Sequence, residues 1–158
     1  MGCSIITVGG CLNDWWIAKH HSVSESSCEA EYKELAKCAK GVKFLHMLLG
    51  ELNLVDLPGV IGEVNQGAIF LAKNKQVSQC TKHIDSKHHF IREFIEKTDG
   101  MKHGTIFKID TKENTADIGT KNVEVFLFKK HEFELDNGMM DFREKSIWKE
   151  RNIRKYIL

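Results

Sequence analysis

The chain has 158 residues, a length that suits one compact domain and is too short for two of full size. Its 28% charged and 42% hydrophobic residues are typical of globular proteins, and its single proline excludes collagen-like, proline-rich and mucin-like chains. The net charge of +1 gives no overall attraction to nucleic acid, so any basic surface must be local.

The first predicted element is a β-hairpin. Residues 4–8 (S-I-I-T-V) are apolar and rich in β-branched side chains, Gly9 and Gly10 follow, and residues 11–17 form a second strand-like run. A double glycine supplies the positive φ angles that a two-residue hairpin turn needs.

The second predicted element is a long amphipathic helix. Residues 26–29 (S-S-C-E) form a capping box, in which the serine and glutamate side chains satisfy free backbone N–H groups. Apolar residues then recur at steps of three and four, which predicts a helix of about seven turns that ends near residues 50–53. These residues are Tyr32, Leu35, Ala36, Ala39, Val42, Leu45, Leu49 and Leu52.

Shorter elements follow the long helix. Residues 56–59 (D-L-P-G) predict a turn, residues 60–64 predict an apolar strand, and Asn65 is suited to cap a short helix after it. The remaining predictions are an amphipathic helix at 85–97, a strand at 105–109, helices at 114–120 and 126–135, and a charged helix or tail at 140–158. Strands separated by helices predict an α/β domain with a mixed sheet.

The cysteines and the N-terminal residues indicate where in the cell the protein is located. Five cysteines without a C-x-x-C pair, in a chain that starts with no basic leader, indicate reduced thiols inside a cell. No apolar stretch is long enough to span a membrane. We therefore expect a soluble intracellular protein of the cytoplasm or nucleus, with no membrane partner.

Four ordered motifs carry a resemblance to a known family. They read S-S-C-E-A-E-Y (26–32), N-Q-G-A-I (65–69), T-K-H-I-D with H-F-I-R-E (81–85 and 89–93), and A-D-I with T-K (116–118 and 120–121). In this order and spacing they resemble the ribonuclease H domain at the C-terminal end of Ty1/copia-type retrotransposon Pol polyproteins. The resemblance covers about residues 2–139, which would form a partial domain, and leaves 140–158 as an appended segment.

The resemblance implies a ribonuclease H-like fold and a nuclease that cuts the RNA strand of an RNA–DNA hybrid with two Mg²⁺ ions. Such enzymes hold the metals with four acidic residues, because carboxylate oxygens suit a hard cation. Glu31 matches the second acidic position and Asp117 the fourth, so both are candidate catalytic residues and Mg²⁺ ligands. The resemblance also implies nucleic-acid contacts and a place beside reverse transcriptase in a larger polyprotein. The candidate nucleic-acid contacts are Asn65, Gln66, Lys82 and His83.

Two acidic positions of the family are missing. Val64 stands where the family has the Asp of C-D-N-Q-S-A-I, and the first family Asp belongs to a strand that precedes Met1. Neighbouring strand residues point to opposite faces, so Glu63 is predicted to face away from the site. We therefore predict little or no nuclease activity.

The absent first strand also affects folding. In the family it lies between the hairpin and the strand at 60–64, so its loss leaves two strand edges without their central partner. We expect the isolated chain either to be marginally stable or to pair these edges in another way.

Other patterns leave alternatives open. Cys80, His83, His88 and His89 have a spacing similar to that of a zinc site, although no second Cys/His pair accompanies them. Lysines and one arginine within residues 73–92 form a local basic patch that suits phosphate contact or a solvated helix face. Three functions stay open: a nuclease whose missing carboxylates come from elsewhere in a larger polyprotein, a non-catalytic module that binds nucleic acid or protein, or a transposon remnant without selected function.

Overall fold

A computed structural model describes residues 1–19, 27–54, 58–74, 85–96 and 103–137, with the backbone alone at 85–89. The predictions for Ser26, for residues 56–57 and for the tail at 140–158 lie outside this part of the chain. The elements are β1 (Gly2–Val8), β2 (Cys11–Ala18), α1 (Ser27–Glu51), β3 (Gly59–Glu63), α2 (Gln66–Lys73), α3 (Asp85–Ile95), β4 (Gly104–Lys108), two 3₁₀ turns (Thr111–Glu113 and Thr115–Gly119) and α4 (Val125–Asp136).

The predicted hairpin is confirmed as β1 and β2. The strands are antiparallel, with Gly2 opposite Ala18 and Val8 opposite Cys11, and the register shifts between Ile6 and Thr7. Gly9 and Gly10 have φ angles of 62° and 88°, the left-handed conformation that glycine adopts without a Cβ penalty.

The predicted long helix is confirmed as α1, which has 25 residues. Its C-terminus is closed by Asn53 in the left-handed region (φ 55°), while the N–H of Leu54 reaches back to the carbonyl of Leu49 at 2.9 Å. The predicted stripe is buried from Tyr32 to Val42, whereas Leu45 and Leu49 are partly buried and Leu52, beyond the end of α1, is exposed. The buried residues of the core are Ile6, Tyr32, Leu35, Ala36, Ala39, Val42, Ile61, Ala68, Ile69, Ala72, Ile91, Phe94 and Ile106.

The second sheet is formed by β3 and β4, which are parallel, with Gly59 opposite Gly104 and Glu63 opposite Lys108. The strand predicted at 105–109 is therefore shifted by one residue toward the N-terminus. The helix predicted at 114–120 is a 3₁₀ turn, Thr115–Gly119, because its hydrogen bonds span three residues (Thr120 N–H to Asp117 O, 3.1 Å).

The four described strands form two separate two-stranded sheets and not one mixed sheet as predicted. β1 pairs with β2 and β3 pairs with β4, so the described part leaves one edge of β1 and one of β3 without a partner strand. Helix α1 packs against β1, β3 and β4 and holds the two sheets in one core. The element alternation predicts the α/β class correctly, but it does not determine which strands are neighbours.

Asn65 caps α2 as predicted. Its Oδ1 atom accepts a hydrogen bond from the backbone N–H of Ala68 at 3.1 Å, from an extended backbone (φ −81°, ψ 110°). We expect Asn65→Ala to lower the free energy of unfolding by about 1 kcal/mol, because a free N–H of the first turn loses its acceptor. Urea titration followed by circular dichroism measures this change, and Asn65→Asp, which keeps an acceptor oxygen, should lose less.

Candidate functional site

A cavity of about 670 Å³ lies between the two sheets. Residues of β1 line one side of it, residues of β3 line another, and α1 contributes the side chains between them. The segment 113–121, which contains the second 3₁₀ turn, completes the wall. The cavity therefore occupies the space next to the strand edges of β1 and β3 that have no partner among the described strands.

Glu31 and Asp117, the two acidic residues that the resemblance singles out, both line this cavity. Glu31 lies near the N-terminus of α1 and is exposed, whereas Asp117 lies in the second 3₁₀ turn and is buried. The structure thus brings together two residues that are 86 positions apart in the sequence. Their role in catalysis or metal binding stays a prediction.

Asp117 has partners on both carboxylate oxygens. The amide of Asn114 donates to Oδ1 at 2.8 Å, and the ammonium of Lys121 contacts Oδ2 at 2.9 Å. Thr115, in the same turn, places its Oγ1 atom 3.3 Å from Nδ1 of the buried His131 on α4. The turn that carries Asp117 is therefore fixed both by its own side chains and by α4.

Glu63 lines the cavity and is buried, so the prediction that it faces away from the site is wrong. Strand alternation holds within β3, where Gly59, Ile61 and Glu63 are the buried positions. The strand ends at Glu63, however, and Val64 has already left it and lines the cavity as well. Alternation therefore does not place these two side chains on opposite sides of the site.

The pKa of Glu63 is raised to about 7. Burial is the main cause, and the nearby charges of Glu31 and Asp117 raise it further, while the backbone N–H of Asn65, 2.7 Å from Oε1, opposes the shift. The charges of Glu31 and Asp117 therefore both act on the carboxyl group of Glu63 in the cavity wall. Glu63 is accordingly partly protonated at neutral pH.

A fourth acidic residue, Glu34, lines the cavity from the next turn of α1. It is buried, and its Oε1 atom forms an ion pair with Lys37 at 2.7 Å. The sequence motifs did not single out Glu34, Glu63 or Asn114. The signal for Glu34 is its position three residues after Glu31, since residues at this spacing lie on neighbouring parts of one helix face.

The carboxylates do not form a ready metal site. Within the described ranges, no group of three His, Cys, Asp or Glu side chains is arranged to hold a metal ion. Asp117 is engaged by Asn114 and Lys121, and Glu63 is partly neutral at pH 7. The residues present therefore do not fit the pair of Mg²⁺ ions that the resemblance implies.

The thiols of the cavity are not activated nucleophiles. Burial raises the pKa of Cys38 to about 12 and also raises the pKa of Cys3, with Glu34 as a further cause for both thiols. Both thiols line the cavity and stay protonated at neutral pH, which argues against thiolate chemistry here.

The candidate nucleic-acid contacts are only partly visible. Asn65 and Gln66 line the cavity, where Asn65 caps α2 and the Gln66 side chain is 3.5 Å from the ammonium of Lys108. Lys82 and His83 lie outside the described residues. The zinc-like pattern lies outside the described side chains, because Cys80 and His83 are not described and only the backbone is described at His88 and His89. Most side chains of the basic patch also lie outside the described residues.

The structure also bears on membrane association. None of the helices in the described ranges combines the length and the apolar character that a membrane span requires.

The chain is similar to Pol polyproteins of plant transposons. The chain is 35% identical over 119 residues to the retrovirus-related Pol polyprotein from transposon TNT 1-94 of Nicotiana tabacum, an alignment that covers 75% of this chain and 9% of the relative. It is 29% identical over 126 residues to the Pol polyprotein from transposon RE2 of Arabidopsis thaliana (79% of this chain, 8% of the relative). It is 30% identical over 118 residues to that from transposon RE1 (74% and 8%).

No family model and no solved structure matches the chain. The chain spans less than a tenth of the length of the curated relatives it matches. Across about three quarters of its own length the chain is nevertheless similar to part of these plant transposon Pol polyproteins, which supports a retrotransposon origin for this region.

Proposed function

We propose that this chain is a ribonuclease H-like region of a retrotransposon Pol polyprotein, that RNA–DNA hybrid is its substrate class, and that the chain alone does not cleave it. One observation carries the proposal: Glu31, Glu63 and Asp117, from a helix, a strand and a 3₁₀ turn, line one acidic cavity. The four sequence motifs and the Pol polyprotein relatives support the same assignment.

The absence of cleavage by the chain alone follows from the same cavity. Its carboxylates are partly neutralised by Lys121, Lys37 and protonation, and they do not form a metal site in the described ranges. The cavity is also lined by β1 and β3, each of which has only one partner among the described strands. We infer that an additional strand must fill this space before the acidic groups can act together.

A chimera tests the proposal. The residues that immediately precede the aligned segment of the tobacco relative are fused before Met1, with and without Val64→Asp, and each protein is incubated with an RNA–DNA hybrid in Mg²⁺ buffer. We expect no cleavage by the 158-residue chain, cleavage of the RNA strand by the chimera that carries Val64→Asp, and a return to background when Glu31→Gln is added. If the chimera that carries Val64→Asp folds but does not cleave the hybrid, the proposal is contradicted.

A second candidate is a non-catalytic module that binds nucleic acid, and the ion pair between Asp117 and Lys121 favours it because it reduces the repulsion of phosphate by the cavity. This candidate predicts that the chain binds hybrid with an affinity that falls as salt rises. It also predicts that the chimera still does not cleave.

A further inference from the structure

Each carboxylate oxygen of Asp117 has a partner in this chain. Asn114 donates a neutral N–H to Oδ1, and Lys121 places a positive charge 2.9 Å from Oδ2. A divalent cation that binds Asp117 from the cavity would be repelled by the Lys121 ammonium unless it displaced that ammonium.

Lys121 is well suited to be displaced. Its side chain is 53% exposed, whereas that of Asp117 is 9% exposed, so the ammonium can move into solvent while the carboxylate stays in the wall. A lysine ammonium is a point charge on a flexible stem and has no fixed geometry to lose. Asn114 would remain, because its contact is neutral and lies within the same turn.

We propose that the Lys121 ammonium is the resident counter-cation of Asp117 and that it excludes a divalent cation from this carboxylate until it leaves. The inference rests on the proposed function, which makes Asp117 an acidic residue of a nuclease site. It explains, from residues on the cavity wall, why these carboxylates do not fit a metal pair as they stand.

A second ion pair at the same cavity provides the matched control. Lys37 and Glu34 are also close (2.7 Å), the lysine is 47% exposed and the glutamate 7% exposed, and Glu34 lines the cavity too. Lys37→Gln therefore removes one lysine charge from a similar pair without altering the charge beside Asp117.

The test is isothermal titration of Mg²⁺ into the full chain and its variants. Lys121→Gln should bind Mg²⁺ at least about tenfold more tightly than the unchanged chain, because a like charge next to the bound ion is removed. Lys37→Gln and Lys121→Arg should behave as the unchanged chain does, and Asp117→Asn combined with Lys121→Gln should lose the gain. Equal affinity in Lys121→Gln and the unchanged chain, or a gain that survives Asp117→Asn, overturns the proposal.

A second measurement does not depend on whether the variant folds. In the unchanged chain with labelled lysines, NMR resonances of the Lys121 side chain should move to those of a free lysine as Mg²⁺ is added, while those of Lys37 stay fixed. No movement of the Lys121 resonances at saturating Mg²⁺ contradicts the proposal. The proposed function and the role of Lys121 can fail separately. If the chimera cleaves hybrid but Lys121→Gln does not bind Mg²⁺ more tightly, only the role of Lys121 is wrong. If Lys121→Gln binds Mg²⁺ more tightly but the chimera does not cleave, only the proposed function is wrong.

Discussion

Glu63→Gln is expected to raise the free energy of unfolding by about 3 kcal/mol at pH 8 and to leave it nearly unchanged at pH 4. The physical reason is that folding buries the Glu63 carboxyl group in the cavity wall, close to Glu31 and Asp117. Burial disfavours the charged form and the two neighbouring charges disfavour it further. A glutamine of the same shape removes this charge.

The direction of the pH dependence follows from the two protonation equilibria. The pKa of Glu63 is about 7 in the folded chain, whereas in the unfolded chain it has the ordinary value of 4.5. Between these values the folded state binds more protons, so stability falls as pH rises from 4.5 through 7. Below pH 4.5 both states are protonated and the penalty is absent, and above pH 7 it is present in full.

Urea titrations at pH 4, 6, 7 and 8 measure this effect. Glu132→Gln, which replaces an exposed glutamate of α4, is the control and should change stability by less than about 0.5 kcal/mol at every pH. A Glu63→Gln effect that is independent of pH would show that the substitution acts by packing and not by removing a buried charge. Stabilisation that grows toward low pH would contradict the assignment of the shift to Glu63.

Local signals in the sequence predict much of this fold. The stripe from Tyr32 onward predicts α1, the two glycines at 9 and 10 predict the hairpin turn, and Asn65 predicts the start of α2. Each of these signals acts over a few residues through backbone geometry or a single side-chain hydrogen bond. Such features do not depend on which elements become neighbours.

The arrangement of the site depends on distant contacts and could not be predicted in the same way. The direction in which the Glu63 side chain points depends on where β3 ends. That end is set by the parallel pairing of β3 with β4, in which Glu63 lies opposite Lys108, about 45 residues later in the sequence. Asp117 and Lys121 are four residues apart, a spacing that local structure brings together, but the presence of Asp117 and Glu31 in one cavity wall depends on how distant elements pack. The division into two sheets likewise depends on which strands pair, and the order of helices and strands in the sequence does not determine that.

Gly104→Ala is expected to lower the free energy of unfolding by about 3 kcal/mol, at the upper end of the range for overpacked cores. A Cβ atom at this position would lie 1.8 Å from Cζ and 2.1 Å from Cε1 of Phe94. Phe94 is fully buried in the core, so its ring has no free space to enter. Gly104 is also the first residue of β4, opposite Gly59, and a shift of its backbone would disturb the parallel pairing.

A double-mutant cycle with Phe94→Leu isolates this contact. Leucine lacks the far ring atoms that the new methyl group would meet, so Gly104→Ala should cost less than about 1 kcal/mol in the Phe94→Leu background. Gly62→Ala is the control in the neighbouring strand, because its Cβ would meet Ile109 only at an ordinary 3.4 Å. That substitution should change stability by less than about 1 kcal/mol.

The size of the coupling decides between two causes of instability. If Gly104→Ala acts through the Phe94 ring, the two substitutions interact and the cycle gives an interaction energy of about 2 kcal/mol. If alanine instead strains the backbone at the start of β4, the cost is the same in both backgrounds and the cycle closes to zero. Urea titration of the four proteins at one pH gives the answer, and additive effects would mean that α3 and β4 do not pack as closely as the contact between Phe94 and Gly104 requires.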